Sequence, residues 1–201
     1  MNKNRYKKAR DQFIAHGGIM STGEAISSGI HPRTLYAMRD NGEIERLERG
    51  LYRLADLSPL SNPDLVPVAL KIPKGVICLI SALAFHKLTT QLPHEVFLAL
   101  PQNTEPPRFF NPPLRIFWFT GKAYSEGIEE NRIDGVSVKI YCIEKTIADC
   151  FKYRNKLGLD VALEALKEYC KQKKRKLDDL LYYAKICRVE KVMRPYTEAL
   201  V

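Results

Sequence analysis

Four histidines (16, 31, 86 and 94) and five cysteines (78, 142, 150, 170 and 187) are the residues best equipped for metal or nucleophile chemistry. The histidines lack metal-ligand spacing and the cysteines contain no C-x-x-C pair. The cysteines fall in apolar stretches, so they read as buried, reduced thiols. His86 sits in an apolar run and reads as a satisfied core residue. No glycine-rich phosphate loop and no nucleophile elbow is present. The nearest catalytic pattern is Asp134 with Ser137, Val138 and Lys139. Metal-dependent nucleases pair an acid with a strand carrying acid-x-lysine, but serine stands here where the second carboxylate would be needed to hold a divalent cation. No catalytic, cofactor-binding or metal-binding residue is assigned, and the chain is read as a non-enzyme.

The charge points to phosphate instead. Thirty-two lysines and arginines against 23 acids give a net charge of +9 and a pI near 9.3. Such a balance favours acidic partners such as nucleic acid, although a merely soluble basic protein has the same composition. At 45% hydrophobic residues the 201-residue chain can bury one or two cores. No apolar run approaches a membrane span and the first residues lack a leader's apolar region, so a cytoplasmic protein is expected.

Three elements must position the basic residues near the N-terminus. Residues 1–16 carry apolar Tyr6, Ala9, Phe13 and Ile14 at helical spacing with basic residues opposite, closed by Gly17 and Gly18. Ser21-Thr22-Gly23-Glu24 has the form of a capping box, in which serine and glutamate satisfy the first amides of a helix. After Gly29, Pro32 suits the first turn of another helix, where its missing N–H has no partner to lose. In that helix Leu35 and Met38 share one face, while Arg33, Thr34, Tyr36 and Arg39 fall on the others.

Two strands, at 44–47 and 51–54, follow across Glu48-Arg49-Gly50. Helix, helix, basic helix and hairpin is the order of a winged helix-turn-helix, whose second motif helix enters the major groove of DNA. The expected DNA-binding residues are Ser21, Thr22, Arg33, Thr34, Tyr36, Arg39, and Arg46, Arg49 and Arg53 in the wing. A core-building subdomain or a protein-binding winged helix remains open, because Glu43, Glu45 and Glu48 dilute the wing. Over residues 1–56, ten basic side chains meet seven acidic ones.

A Ser, Pro and Asp stretch near 56–62 reads as a linker, giving expected domains at 1–56 and 62–201. Residues 76–88 form a buried helix with a strand-like start. Four strands follow, in EVFLALP, in LRIFWF, and around 127–133 and 136–142, the last two joined by the hairpin signal Asp134-Gly135. From Ile143 onward the spacing is helical, with Gly158 ending one helix and Asp160 able to cap the next. Lys171, Lys173, Lys174, Arg175 and Lys176 form a cluster that reads as a solvated loop, a phosphate contact or a docking patch for an acidic partner. The fold class is α+β: a winged helix-turn-helix, then a mixed α/β domain with a small sheet and C-terminal helices.

Three stretches, GIHPRTLYAMRDNGEIERLERGLYRL, ISALAFHKLTTQLPHEVFLALP and IEKTIADCFKYRNKLGLDVALEALKEY, resemble the AbiEi family, antitoxins of type IV, abortive-infection toxin-antitoxin systems. The resemblance implies an N-terminal winged helix that represses its own operon at inverted repeats in double-stranded DNA. It also implies a C-terminal domain that counteracts a nucleotidyltransferase-like toxin without necessarily forming a stable complex. The alternative is a stand-alone winged-helix regulator with a C-terminal ligand- or partner-sensing domain.

Overall fold

A computed structural model describes residues 3–105, 107, 111–173 and 175–200. The chain divides into two compact units, Met1–Pro67 and Val68–Val201.

The first unit runs α1 (Lys3–Ala15), β1 (Ile19–Ser21), α2 (Thr22–Ser27), α3 (Pro32–Asp40), β2 (Ile44–Glu48) and β3 (Leu51–Leu54). Its three antiparallel strands lie in the order β1-β3-β2. Ala9 and Phe13 of α1 close on the sheet, with Tyr6 packed against them, while Ile14, expected on the same face, is exposed; Phe13, Met20, Ala25, Leu35 and Met38 are fully buried in one core with Ile44, Tyr52 and Leu54. Gly29, at φ +90°, makes the turn between α2 and α3, and Gly50, at φ +73°, closes the β2–β3 connection. Both conformations suit glycine because it lacks a Cβ. The three-residue β1 was not foreseen; it is too short to show alternation.

After α4 (Leu65–Lys71), the second unit comprises β4 (Val76–Ile77), α5 (Leu79–Phe85), β5 (Val96–Pro101), β6 (Leu114–Phe119), α6 (Lys122–Ser125), β7 (Ile128–Ile133), β8 (Val136–Tyr141), α7 (Ile143–Lys152), α8 (Arg154–Leu157), α9 (Leu159–Cys170), α10 (Leu177–Ile186) and α11 (Glu190–Leu200). Its sheet has the order β6-β5-β4-β8-β7, with β5–β6 and β4–β8 parallel and the other pairs antiparallel. Residues 96–100 of β5 are all buried, which explains an apolar run without alternation. The edge strand β6 alternates at its end, with Phe117 and Phe119 inside and Trp118 exposed. Asp134 and Gly135, at φ +49° and +82°, make the tight β7–β8 turn as expected.

One expected cap is corrected: Gly158 is the N-cap of α9, and Asp160 lies within its first turn, where its charge still favours the helix dipole. Helix α7 is amphipathic at the apolar positions foreseen, and it also buries Lys145 and Asp149 as an ion pair beneath the Phe119 and Tyr141 rings. All five cysteines are free; four are buried and Cys170 is half-buried. Among the described residues no helix is long and apolar enough to cross a membrane.

Candidate nucleic-acid interface

The α2–turn–α3 motif is assembled by local hydrogen bonds. Ser21 Oγ accepts from the Glu24 amide at 3.1 Å, while the Ser21 amide donates to Glu24 Oε2 at 2.7 Å. This is the capping box read from S-x-x-E, and the Ser21 amide, with its hydroxyl, holds the Glu24 carboxyl below the usual range. Thr22 faces the wing: its amide donates to Gly50 O at 2.9 Å and its hydroxyl to the same oxygen at 3.4 Å. The start of α2 is thereby tied to the tip of the hairpin.

Helix α3 is seated by Leu35 and Met38, both fully buried, which turns its remaining faces outward. Arg33, Tyr36 and Arg39 are exposed and Thr34 is half-buried. The Arg39 guanidinium lies 5.3 Å from the centre of the Tyr36 ring and donates to Asp40 Oδ1 at 2.7 and 2.9 Å. Tyr36 and Arg39, three residues apart, form a stacked pair on one face. The sequence marks His31 only as a histidine without metal-ligand spacing. It caps α3, its Nδ1 accepting from the Arg33 amide at 3.2 Å.

The wing arginines separate into two kinds. Arg46 and Arg49 are exposed on and beside β2. Arg53 is only 4% exposed: its guanidinium reaches Glu45 Oε1 at 3.1 Å and donates to the carbonyl of Ser58. Its expected availability to phosphate is therefore corrected. β3 is the central strand, with Ile19 of β1 on one side of Arg53 and Glu45 of β2 on the other, so it lacks the open flank of a free wing strand.

A groove of about 800 Å³ runs between α1 and the start of α3, bordered by Arg5, Lys8, His31, Arg33 and Thr34. The sequence placed the cations of α1 on one face, but only the fold sets them beside Arg33.

Residues 10–55 match the family model described as "Transcriptional regulator, AbiEi antitoxin". Over those residues the N-terminal unit is similar to the AbiEi antitoxin regulators. Its α1-β1-α2-α3-β2-β3 order is that of a winged helix-turn-helix, and the AbiEi match covers both motif helices and the wing. As a whole, the chain resembles the crystal structure of the RV2827C protein from Mycobacterium tuberculosis, with a TM-score of 0.63 at 10% identity over 98% of this chain and 82% of that one. At that identity the likeness is one of fold alone. No curated protein sequence matches.

The basic cluster at 171–176 is largely committed to local contacts. Lys171 pairs with Glu168, Arg175 Nη1 donates to Cys170 O at 2.9 Å, and Lys176 Nζ lies 3.7 Å from Asp179. The Lys176 amide also donates to the Tyr169 hydroxyl at 2.6 Å. Lys173 adjoins them in the same connection, and Lys174 lies outside the described residues. Of the nuclease-like pattern, Ser137 Oγ donates to Glu130 Oε2 at 3.0 Å and Lys139 Nζ to Pro73 O at 3.1 Å. Among the described residues no group of three metal-ligating side chains comes together.

Proposed function

We propose that this chain is an antitoxin that binds operator DNA through its AbiEi domain and represses its own operon, while its second unit opposes a nucleotidyltransferase-like toxin. The observation that carries the DNA half is the outward face of α3, where exposed Arg33, Tyr36 and Arg39 and half-buried Thr34 project from a helix anchored by Leu35 and Met38. In the major groove, one arginine reads a guanine edge and another holds phosphate. Arg46 and Arg49 of the wing, with Arg5 and Lys8 along the α1 groove, add contacts to the backbone. Ser21 and Thr22 act chiefly by fixing α2 and the wing tip, since their hydroxyls are engaged there.

Affinity from one copy is modest, because acidic Asp40, Glu45 and Glu48 lie among these cations, so paired binding on inverted repeats supplies the rest. A non-catalytic role in the cytoplasm completes the reading. The test is a gel-shift series with the promoter duplex and a random duplex at rising salt. Preference for the promoter, with affinity falling steeply as salt rises, is expected; equal binding to both duplexes rejects the operator role.

The antitoxin half rests on the family of the first unit. It is tested in cells carrying the neighbouring toxin gene, with the Arg33→Ala, Arg39→Ala double variant expressed from an unrelated promoter. Rescue without self-repression is expected; joint loss of both in a folded variant rejects the division of labour between the units.

A further inference from the structure

The second unit contains a cleft of about 510 Å³ that the DNA reading does not use. Three cations border it, each from a different part of the fold: Lys122 at the start of α6, Lys152 at the end of α7, and Arg188 in the turn between α10 and α11. No carboxylate is among its described lining residues.

The floor is charge-neutral. Cys187 Sγ donates to Asp149 Oδ1 at 3.1 Å, and Asp149 is already paired with buried Lys145. The three bordering cations therefore set the potential inside the cleft. Lys152 is held by aromatic faces, its ammonium 5.5 Å from the Phe119 ring centre and 5.7 Å from that of Tyr153. Lys122 lies 3.8 Å from Glu126 Oε1, a long pairing, and Glu126 Oε2 also accepts from the Tyr182 hydroxyl.

The Arg188 guanidinium has no hydrogen-bond or ion-pair partner among the described residues. Arg188 occupies the left-handed position that ends α10, at φ +60°, closed by Val189 N donating to Ala184 O at 2.8 Å. Glycine is the residue that fits such a position without steric cost. Arginine there gives up backbone comfort and puts a guanidinium at the rim of the cleft.

We propose that this cleft binds a multiply charged phosphate anion of small-molecule size, a nucleoside triphosphate or an inorganic polyphosphate, with Lys122, Lys152 and Arg188 on the phosphate oxygens. Charge-assisted bonds from three converging cations suit adjacent phosphates better than a single anion. The volume matches a small-molecule site, and Ala123 and Ile186 supply apolar wall.

The test is isothermal titration of the full chain with tripolyphosphate, ATP and GTP, at about 150 mM salt so that loose surface attraction is screened. One-to-one binding is expected. Arg188→Gly removes the guanidinium yet suits the backbone, so it should weaken binding about tenfold or more with the melting temperature unchanged or raised. Lys152→Met should weaken binding similarly, and Lys191→Gln, on α11 outside the cleft, should not. Equal affinity for all three probes assigns recognition to the phosphates alone, while tighter binding of one nucleotide adds its base. Absence of binding by every probe, or binding that Arg188→Gly and Lys152→Met leave unchanged, overturns the proposal. So does an Arg188→Gly variant that loses duplex DNA but keeps tripolyphosphate.

Discussion

Lys145 and Asp149, one turn apart on α7, form an ion pair in which both side chains are 0% exposed, with the Lys145 ammonium 4.3 Å from the centre of the Tyr141 ring. Each charge is tolerated in the core because the other is there. Removing one strands its partner, so Lys145→Met or Asp149→Leu should each cost about 3–5 kcal/mol. The double variant, which leaves no stranded charge, should recover much of that loss. Chemical denaturation of the three variants checks this; additive losses would show that the two side chains act independently.

The wing arginines should part company on mutation. Arg46→Ala and Arg49→Ala should weaken DNA binding with the melting temperature nearly unchanged, since exposed substitutions typically stay within about 0.5 kcal/mol. Arg53→Ala should instead destabilise the first unit by about 2 kcal/mol, because it removes a buried guanidinium bonded to Glu45 and Ser58. Thermal denaturation beside gel shifts separates the two effects.

Ser21→Ala should cost about 1 kcal/mol by leaving the Glu24 amide without its acceptor. The wing tip should loosen with it, because the neighbouring Thr22 amide bonds Gly50 O. Amide hydrogen exchange at Thr22 and Glu24 reads both consequences.

Acid should weaken the first unit in a predictable window. The Ser21 amide and hydroxyl hold the Glu24 carboxyl below its ordinary value near 4.5, and Arg10 holds Asp56 below its ordinary value near 3.8. A carboxyl whose folded value is depressed stabilises the fold fully above its unfolded value, and that contribution is lost as pH falls through the folded one. Melting temperatures should therefore drop below about pH 4.5, and Glu24→Gln should flatten the upper part of the fall.

Thiol reagents should find little to react with in the native state. Burial pushes the Cys78 and Cys150 thiols well up, and those of Cys142 and Cys187 up as well. Thiolates are the reactive species, so native labelling should be confined to Cys170, which is only half-buried. Rapid labelling at several positions would contradict this packing.

Local signals were sufficient for much of this protein. The S-x-x-E box, Pro32 after His31, the Leu35 and Met38 spacing and the Asp134-Gly135 turn each encode a conformation within a few residues. α2, α3 and the β7–β8 hairpin could therefore be read from the chain before it was folded, as could the outward face of α3. What required the tertiary structure was anything decided by neighbours distant in sequence. β1 has three residues and no pattern of its own, yet it makes β3 a central strand, and the bonds of Arg53 to Glu45 and to the Ser58 carbonyl turn it from an expected phosphate contact into a buried brace. Nothing in the spacing of Lys145 and Asp149 signals their burial, which follows from the packing of Phe119 and Tyr141 over the Lys145 ammonium. Lys122, Lys152 and Arg188 lie on three elements that no sequence period connects; they share a cleft only because the sheet and its helices pack into one core.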